Sequence, residues 1–254
     1  MAAPLTAFRI VLTCAAGLLA AAFSSSAPCA PVSLLREAYP ATHLGEKPTP
    51  ITARYEMDDG GAFVFDRSTT KPLLKFDDDS EIWVLDPAPG PRGDVIYRND
   101  LGEPMLRKTR LGGMTVFTQK RPDGSAAALD GPTAPLRIAP MSPGALYNRF
   151  YQASIRVSRA AQHLIGFETR EDADPTTAGY FADAVTVTAE ALVEISALPG
   201  GKVGLSHLTD VLIAVGPKAG ASLQRGVLTV TIVTGEGFFG RPSSRRIERV
   251  AWAH

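Results

Sequence analysis

The order of apolar and polar positions gives the chain two textures. From Ile51 the two kinds alternate, with Ile51, Ala53, Tyr55 and Met57 on one side, and this period of two predicts a strand with one buried face. Asp58-Asp59-Gly60-Gly61 interrupts the pattern and residues 62–65 resume it. Asp-Gly and Gly-Gly tolerate the positive φ of a tight turn, so the pair predicts a hairpin. A second hairpin is predicted over 72–76 and 81–85, around the turn Asp77-Asp78-Asp79-Ser80. Pro87-Ala88-Pro89-Gly90-Pro91 is expected to break the chain completely. Further strands follow at 94–98, 105–110 and 114–118, separated by Asn99-Asp100-Leu101-Gly102 and Gly112-Gly113. Short strands at this spacing predict an antiparallel β-meander over 51–140, curled into a roll or partial barrel.

From Ser142 the period becomes helical. Ser142-Pro143 suits a helix start, since the missing N–H of proline costs nothing in the first turn. Leu146, Phe150, Ile155, Val157, Ala161, Leu164 and Ile165 form an imperfect apolar stripe. A polar loop over 168–175 separates it from a second long helix over 178–198. Within that helix Val185-Thr186-Val187-Thr188 favours strand, but its alanine-rich surroundings favour helix. Pro199-Gly200-Gly201 ends it, and a short helix is expected at 205–209. Buried strands follow at 211–215 and 227–233, joined through a loop, and a short closing helix is predicted over 242–252. The fold class is α+β: a meander, then a C-terminal half (141–254) of two long helices, a few strands and a closing helix. Length allows the two halves to be separate domains or to share one core.

The N-terminal segment has another character. Arg9 precedes an apolar run from Ile10 to Phe23, and Ser24, Ser25 and Ser26 follow. A basic start, an apolar stretch and small residues make the pattern of a secretory signal, expected to span 1–24 with cleavage after Ala22 or Ser24. The run is shorter than the roughly 18–20 residues a spanning helix needs, so no stable membrane anchor is expected after cleavage. Cys14 would leave with the leader, and neither Cys14 nor Cys29 sits in a lipidation box. Cys29 alone remains, so no internal disulfide is expected. Residues 25–50 are proline-rich and read as a tether, with one helical turn near 33–39. Basic and acidic residues balance at 26 each, which gives no global field toward nucleic acid or acidic lipid.

Candidate chemistry is sparse. Asp77-Asp78-Asp79 beside Glu81 lacks the glycine-bent spacing of a calcium loop and reads as a solvated hairpin tip. Arg92-Gly93-Asp94 is a three-letter coincidence at the start of a strand. Arg149, Gln152, Arg156, Arg159 and His163 share one helix face, either as an anion-binding stripe or as a solvated back. Asp183, Glu190 and Glu194 share a face of the second helix. Asp183 and Glu190, with Asp210, are the candidate catalytic carboxylates, because acid–base hydrolysis needs one protonated and one ionised carboxyl. Ser206, His207 and Asp210 crowd too closely in sequence to converge as a triad. Arg241, Arg245 and Arg246 around a helix start are the candidate anion site, with capping by Ser243 or Ser244 as the commoner role of such serines. No zinc spacing, serine elbow or dinucleotide unit is found, so no metal and no cofactor are expected.

The runs RGDVIYRNDLGEPMLRKTRLGGMTVFT (92–118), FADAVTVTAEALVEI (181–195) and GVLTVTIVTGEGFFGRPSSRRIERV (226–250) resemble, in order, a family of exported alphaproteobacterial proteins described as a domain of unknown function. The resemblance implies a Gram-negative periplasmic setting and brings no catalytic residues. The expected role is therefore non-enzymatic binding or scaffolding of an envelope protein or polymer. The alternatives are a carboxylate-dependent hydrolase acting on an envelope polymer and a secreted interaction factor.

Overall fold

In the computed structural model, which describes residues 49–252, the alternating segment folds into nine antiparallel strands. These are β1 (Thr52–Met57), β2 (Ala62–Asp66), β3 (Leu73–Phe76), β4 (Ile82–Val84), β5 (Asp86–Pro89), β6 (Val95–Arg98), β7 (Pro104–Lys108), β8 (Met114–Val116) and β9 (Ser125–Pro132). Their order across the sheet is β4-β3-β2-β1-β9-β8-β7-β6-β5. The two edges, β4 and β5, are consecutive in sequence with Leu85 alone between them, so the sheet curls until its edges come close. This is the partial barrel that the alternation predicts. The segments expected as signal peptide (1–24) and, up to residue 48, as tether lie outside the described residues, as do both cysteines and His43.

Alternation puts Ala53, Tyr55, Phe63, Phe65, Leu74, Phe76, Leu106 and Val116 into one cluster inside the barrel. Tyr55 stacks on Phe63 at 5.3 Å between ring centres, and Phe65 meets Tyr97 edge-on at 5.0 Å. Two strands run against local propensity. Pro87-Ala88-Pro89, part of the segment expected to break the chain, is paired with β6 through Pro87↔Tyr97 and Pro89↔Val95. It is an edge strand, where a missing N–H can face away from the ladder, and its prolines leave that edge poor in donors for another chain. β9, rich in alanine, has no strand signal of its own; its pairing to β1 and to β8 holds it in the middle of the sheet.

The C-terminal half contains α1 (Pro143–Ala161), β10 (Gly166–Thr169), α2 (Ala178–Ala197), α3 (Gly201–Gly204), β11 (Asp210–Val215), β12 (Gly220–Gln224), β13 (Val227–Ile232) and α4 (Ser244–Trp252). Ser142 caps α1 by accepting from the Ala145 N–H. The helix stops at Ala161, earlier than the apolar stripe suggests, because Gln162 turns left-handed at φ 65°. Part of the predicted polar loop becomes β10 instead. It pairs in parallel with β11, which pairs in parallel with β13, giving the order β10-β11-β13-β12. Parallel neighbours need a long crossover, and α2 supplies it between β10 and β11. β12, read as loop, is drawn into the sheet by a two-residue turn at Arg225 (φ 50°) and Gly226 (φ 82°), the double positive-φ geometry favoured in tight hairpins. The short helix expected at 205–209 lies slightly earlier, at α3.

α2 is buried on most of its circumference, from Ala178 through Ala182, Val185 and Leu192 to Ile195. Its Val-Thr-Val-Thr stretch stays helical. The Thr186 and Thr188 hydroxyls donate to the carbonyls of Ala182 and Ala184, each at 2.7 Å, so neither leaves a polar group unmet in the helix. The described residues group into one compact unit with two principal cores, one in the barrel and one around α2. A smaller cluster of Leu73, Ile82 and Phe238, with Leu136, Ile138 and Phe239 packed against it, stitches the two. Asp66, wholly buried, accepts from the Thr52 hydroxyl and from the Ser68 and Leu136 N–H groups, and so pins the connecting segment to the barrel. No helix among the described residues is long and apolar enough to cross a membrane.

Candidate functional site

Of the charged residues singled out in the sequence, Asp183 and Arg241 meet, with Glu81, in a polar seam between the barrel and the C-terminal half. Its centre is Arg241, which follows a short 3₁₀ turn at Gly237–Gly240. The Arg241 side chain is 4% exposed and meets carboxylates from both halves. Nε donates to Asp183 Oδ2 of α2 at 2.5 Å, and Nη1 donates to Glu81 Oε1, just before β4, at 3.1 Å. Nη2 donates to the carbonyl of Ile82 at 2.9 Å. One guanidinium thereby ties α2 to the β3–β4 hairpin, and its planar fork suits this multiple engagement.

Electrostatics inside the cluster follow from burial. Desolvation works against the charge of Arg241, but Asp183 and Glu81 outweigh it, and the guanidinium is held above its ordinary value. Glu81 is less favoured. Burial pushes its carboxyl up to about 7, against the pull of Arg241 and of the Ser244 N–H that also donates to it.

The other arginines of the predicted anion site are engaged in the same way. Arg246 donates through Nε to Asp100 Oδ2 at 2.7 Å, and Ser243 Oγ donates to Asp100 Oδ1 at 2.5 Å. Ser243 also caps α4, its Oγ accepting from the Arg246 N–H at 3.2 Å. Arg245 Nη1 donates to Glu248 Oε2 at 3.0 Å. Glu248 lies near the Glu194 carboxyl where α2 and α4 meet, and burial together with that second carboxyl pushes it up to about 7.

Spacings of seven and four residues do place Asp183, Glu190 and Glu194 on one face of α2, but each meets a different neighbour. Glu190 receives a bidentate pair from Arg156 of α1, at 2.8 and 2.5 Å, and the Ser80 hydroxyl at 2.9 Å. The hydrogen bonds from Arg156 hold its carboxyl below the usual range. Asp210 starts β11 beside Gly166, and among the described residues no hydrogen bond or ion pair joins it to Asp183 or Glu190.

The lesser motifs are structural too. Asp77 forms a two-point pair with Arg54, while Asp79 accepts from the Trp83 indole at 3.1 Å and from the Glu81 N–H at 2.8 Å. Asp94 accepts from Arg107 Nε at 2.7 Å and from the Arg110 N–H. The Ser206 hydroxyl donates to the Val203 carbonyl. His163 faces two carbonyls, Ala161 at 3.2 Å and Leu208 at 2.9 Å.

Asp100 and Glu248 were not singled out by sequence, and Glu81 only as a neighbour of the aspartate run. A turn acid in Asn-Asp-Leu-Gly carries no sign of a distant arginine. The Arg245/Glu248 spacing of three in a helix was the one legible clue.

The chain belongs to the family described as "Domain of unknown function (DUF4908)", which matches residues 35–251. No curated protein and no solved structure matches it. The resemblance noted in the sequence thus holds at the level of an uncharacterised domain covering both halves of the described fold.

Proposed function

We propose that the protein is exported to the periplasm and acts there by binding or scaffolding an envelope protein or polymer rather than by catalysis. The observation that carries this reading is the engagement of the acidic face of α2: Asp183 is held by Arg241, and Glu190 by Arg156 and Ser80. A carboxylate tied to an arginine is a poor general acid, because the neighbouring positive charge keeps it ionised. Arg241, Arg245 and Arg246 likewise have internal carboxylate partners, so these groups work first as ties between the barrel and the helices. The export part rests on the leader pattern of Arg9, the apolar run and the serines.

Fractionation of cells producing the full chain tests location. Recovery from the periplasm with a new N-terminus near Ala22–Ser24 is expected; recovery only from the medium favours the secreted factor, and recovery only from the cytoplasm refutes export. Pull-down from envelope extracts, with and without added peptidoglycan, tests binding, and recovery of no specific partner in either arm refutes it.

The hydrolase reading keeps one observation in its favour. Glu248 is mostly buried beside Arg245, and burial with the nearby Glu194 carboxyl pushes it up to about 7, the range a general acid needs. Release of soluble fragments from peptidoglycan by the purified protein, abolished by Glu248→Gln, would replace the binding reading with this one.

A further inference from the structure

We propose that the end of the C-terminal half where its helices terminate docks on an anionic lipid surface. Four large apolar side chains are exposed there: Leu164 after α1 (84%), Leu198 after α2 (54%), Val203 in α3 (77%) and Trp252 at the end of α4 (46%). Their backbones are neighbours. α3 contacts both α1 and α2, and the Trp252 ring lies 3.5 Å from the place a Cβ on Gly204 would occupy. His163 Nε2, next to Leu164, faces the Leu208 carbonyl at 2.9 Å, which closes the group on its other side. The segment 196–203 also lines a shallow depression of about 390 Å³, open to solvent between Leu198 and Val203.

Scattered single apolar residues are ordinary at a surface, but several gathered on loop and helix ends mark a contact site. The charges around the group decide the partner. Lys202 lies between the apolar residues in sequence, Arg159 occupies the last turn of α1, and Arg225 forms the tip of the β12–β13 turn, whose Gly226 abuts the His207 carbonyl. All three are exposed. Of the nearby carboxylates, Glu194 is exposed on α2 beside Glu248, and Asp210 is half-buried beside Gly166, so the three exposed cations outnumber the one exposed acid. An apolar tip rimmed by exposed cations is complementary to a bilayer surface: the apolar side chains enter the acyl boundary and the cations meet phosphate. Tryptophan suits that boundary because its ring is apolar while its N–H remains polar.

This deepens the binding role proposed above, but it stands apart from export and from any polymer, because vesicles test it on purified protein. The chain has two tryptophans, and Trp83 is buried in the barrel. Trp252 is therefore the one described tryptophan whose emission a surface contact can change, and the leader contributes no tryptophan of its own.

The full chain is titrated with vesicles of phosphatidylglycerol and phosphatidylethanolamine carrying brominated acyl chains, and in parallel with phosphatidylcholine vesicles. Quenching and a blue shift of the Trp252 emission are expected with the anionic vesicles. The response should weaken strongly in phosphatidylcholine or high salt, and apparent affinity should fall roughly tenfold or more in the doubly substituted Leu198→Glu, Val203→Glu chain. Both substituted side chains are exposed, so an unchanged melting curve confirms that the variant folds. Unchanged emission at saturating anionic lipid overturns the proposal, as does equal quenching in phosphatidylcholine or quenching that survives the double substitution. Self-association that the double substitution abolishes, without lipid quenching, would assign the same patch to a second copy of the chain and also overturn it.

Discussion

Replacing Glu81 by glutamine isolates the electrostatics of the seam. The Glu81 side chain is 2% exposed, and its carboxyl, ordinarily near 4.5, titrates near 7. Between those values the folded protein holds a proton that the unfolded chain has already released. Stability from this group is therefore fully present below about pH 4.5 and is lost as pH rises through 7. With 1.36 kcal/mol for each tenfold change in proton affinity, the loss amounts to about 3 kcal/mol by pH 8. Because the group is buried, solvent screening does not reduce that figure. Glutamine keeps the shape of the side chain and an oxygen that accepts from Arg241 and the Ser244 N–H, while Arg241 retains Asp183 as its counter-ion. The assay is urea unfolding of both proteins at intervals between pH 5 and 8. Glu248 titrates in the same window in both, so the difference between the two curves carries the result. The Glu81→Gln protein is expected to gain on the native protein by about 2–3 kcal/mol from pH 5 to pH 8. Parallel curves across that range would refute the reasoning.

Other consequences of the geometry are open to simpler measurements. Arg241→Met leaves Asp183 and Glu81 without their shared partner and is expected to cost about 3–5 kcal/mol in chemical unfolding at neutral pH, with partial relief when Asp183→Asn is added. Gly226→Ala forces a side chain into φ 82° with its Cβ 2.7 Å from the His207 carbonyl, and a fall in melting temperature is expected from the loss of about 1–2 kcal/mol. Phe65→Ala empties part of the barrel and should cost about 3–5 kcal/mol, while Leu111→Ala, at an 85% exposed position, should change little.

Local pattern determined a large part of this protein. Alternation from Ile51 to Val116 named seven of the nine barrel strands and the side facing inwards, because a period of two can bury only one face. Helical spacing named α1 and α2, Ser142 was legible as a helix start, and the cap of α4 was narrowed to Ser243 or Ser244, of which Ser243 serves, because a cap is read from the residues just beside it. The resemblance to an uncharacterised domain rested on three runs in order along the chain, all within residues 35–251 that match DUF4908. Tertiary structure decided the rest. Asp86-Pro87-Ala88-Pro89 and the alanine-rich β9 are strands because a sheet offers them partners, and β10 and β12 join their sheet through β11 and β13. The sequence also placed Asp183 and Glu190 on one helix face and Arg241 near a helix start, as separate candidates for catalysis and anion binding. It could not show that Arg241 reaches across to Asp183 and Glu81, residues 58 and 160 positions away. Charge pairing depends on distance in space and on exclusion of water, and neither is written in the spacing of residues along the chain.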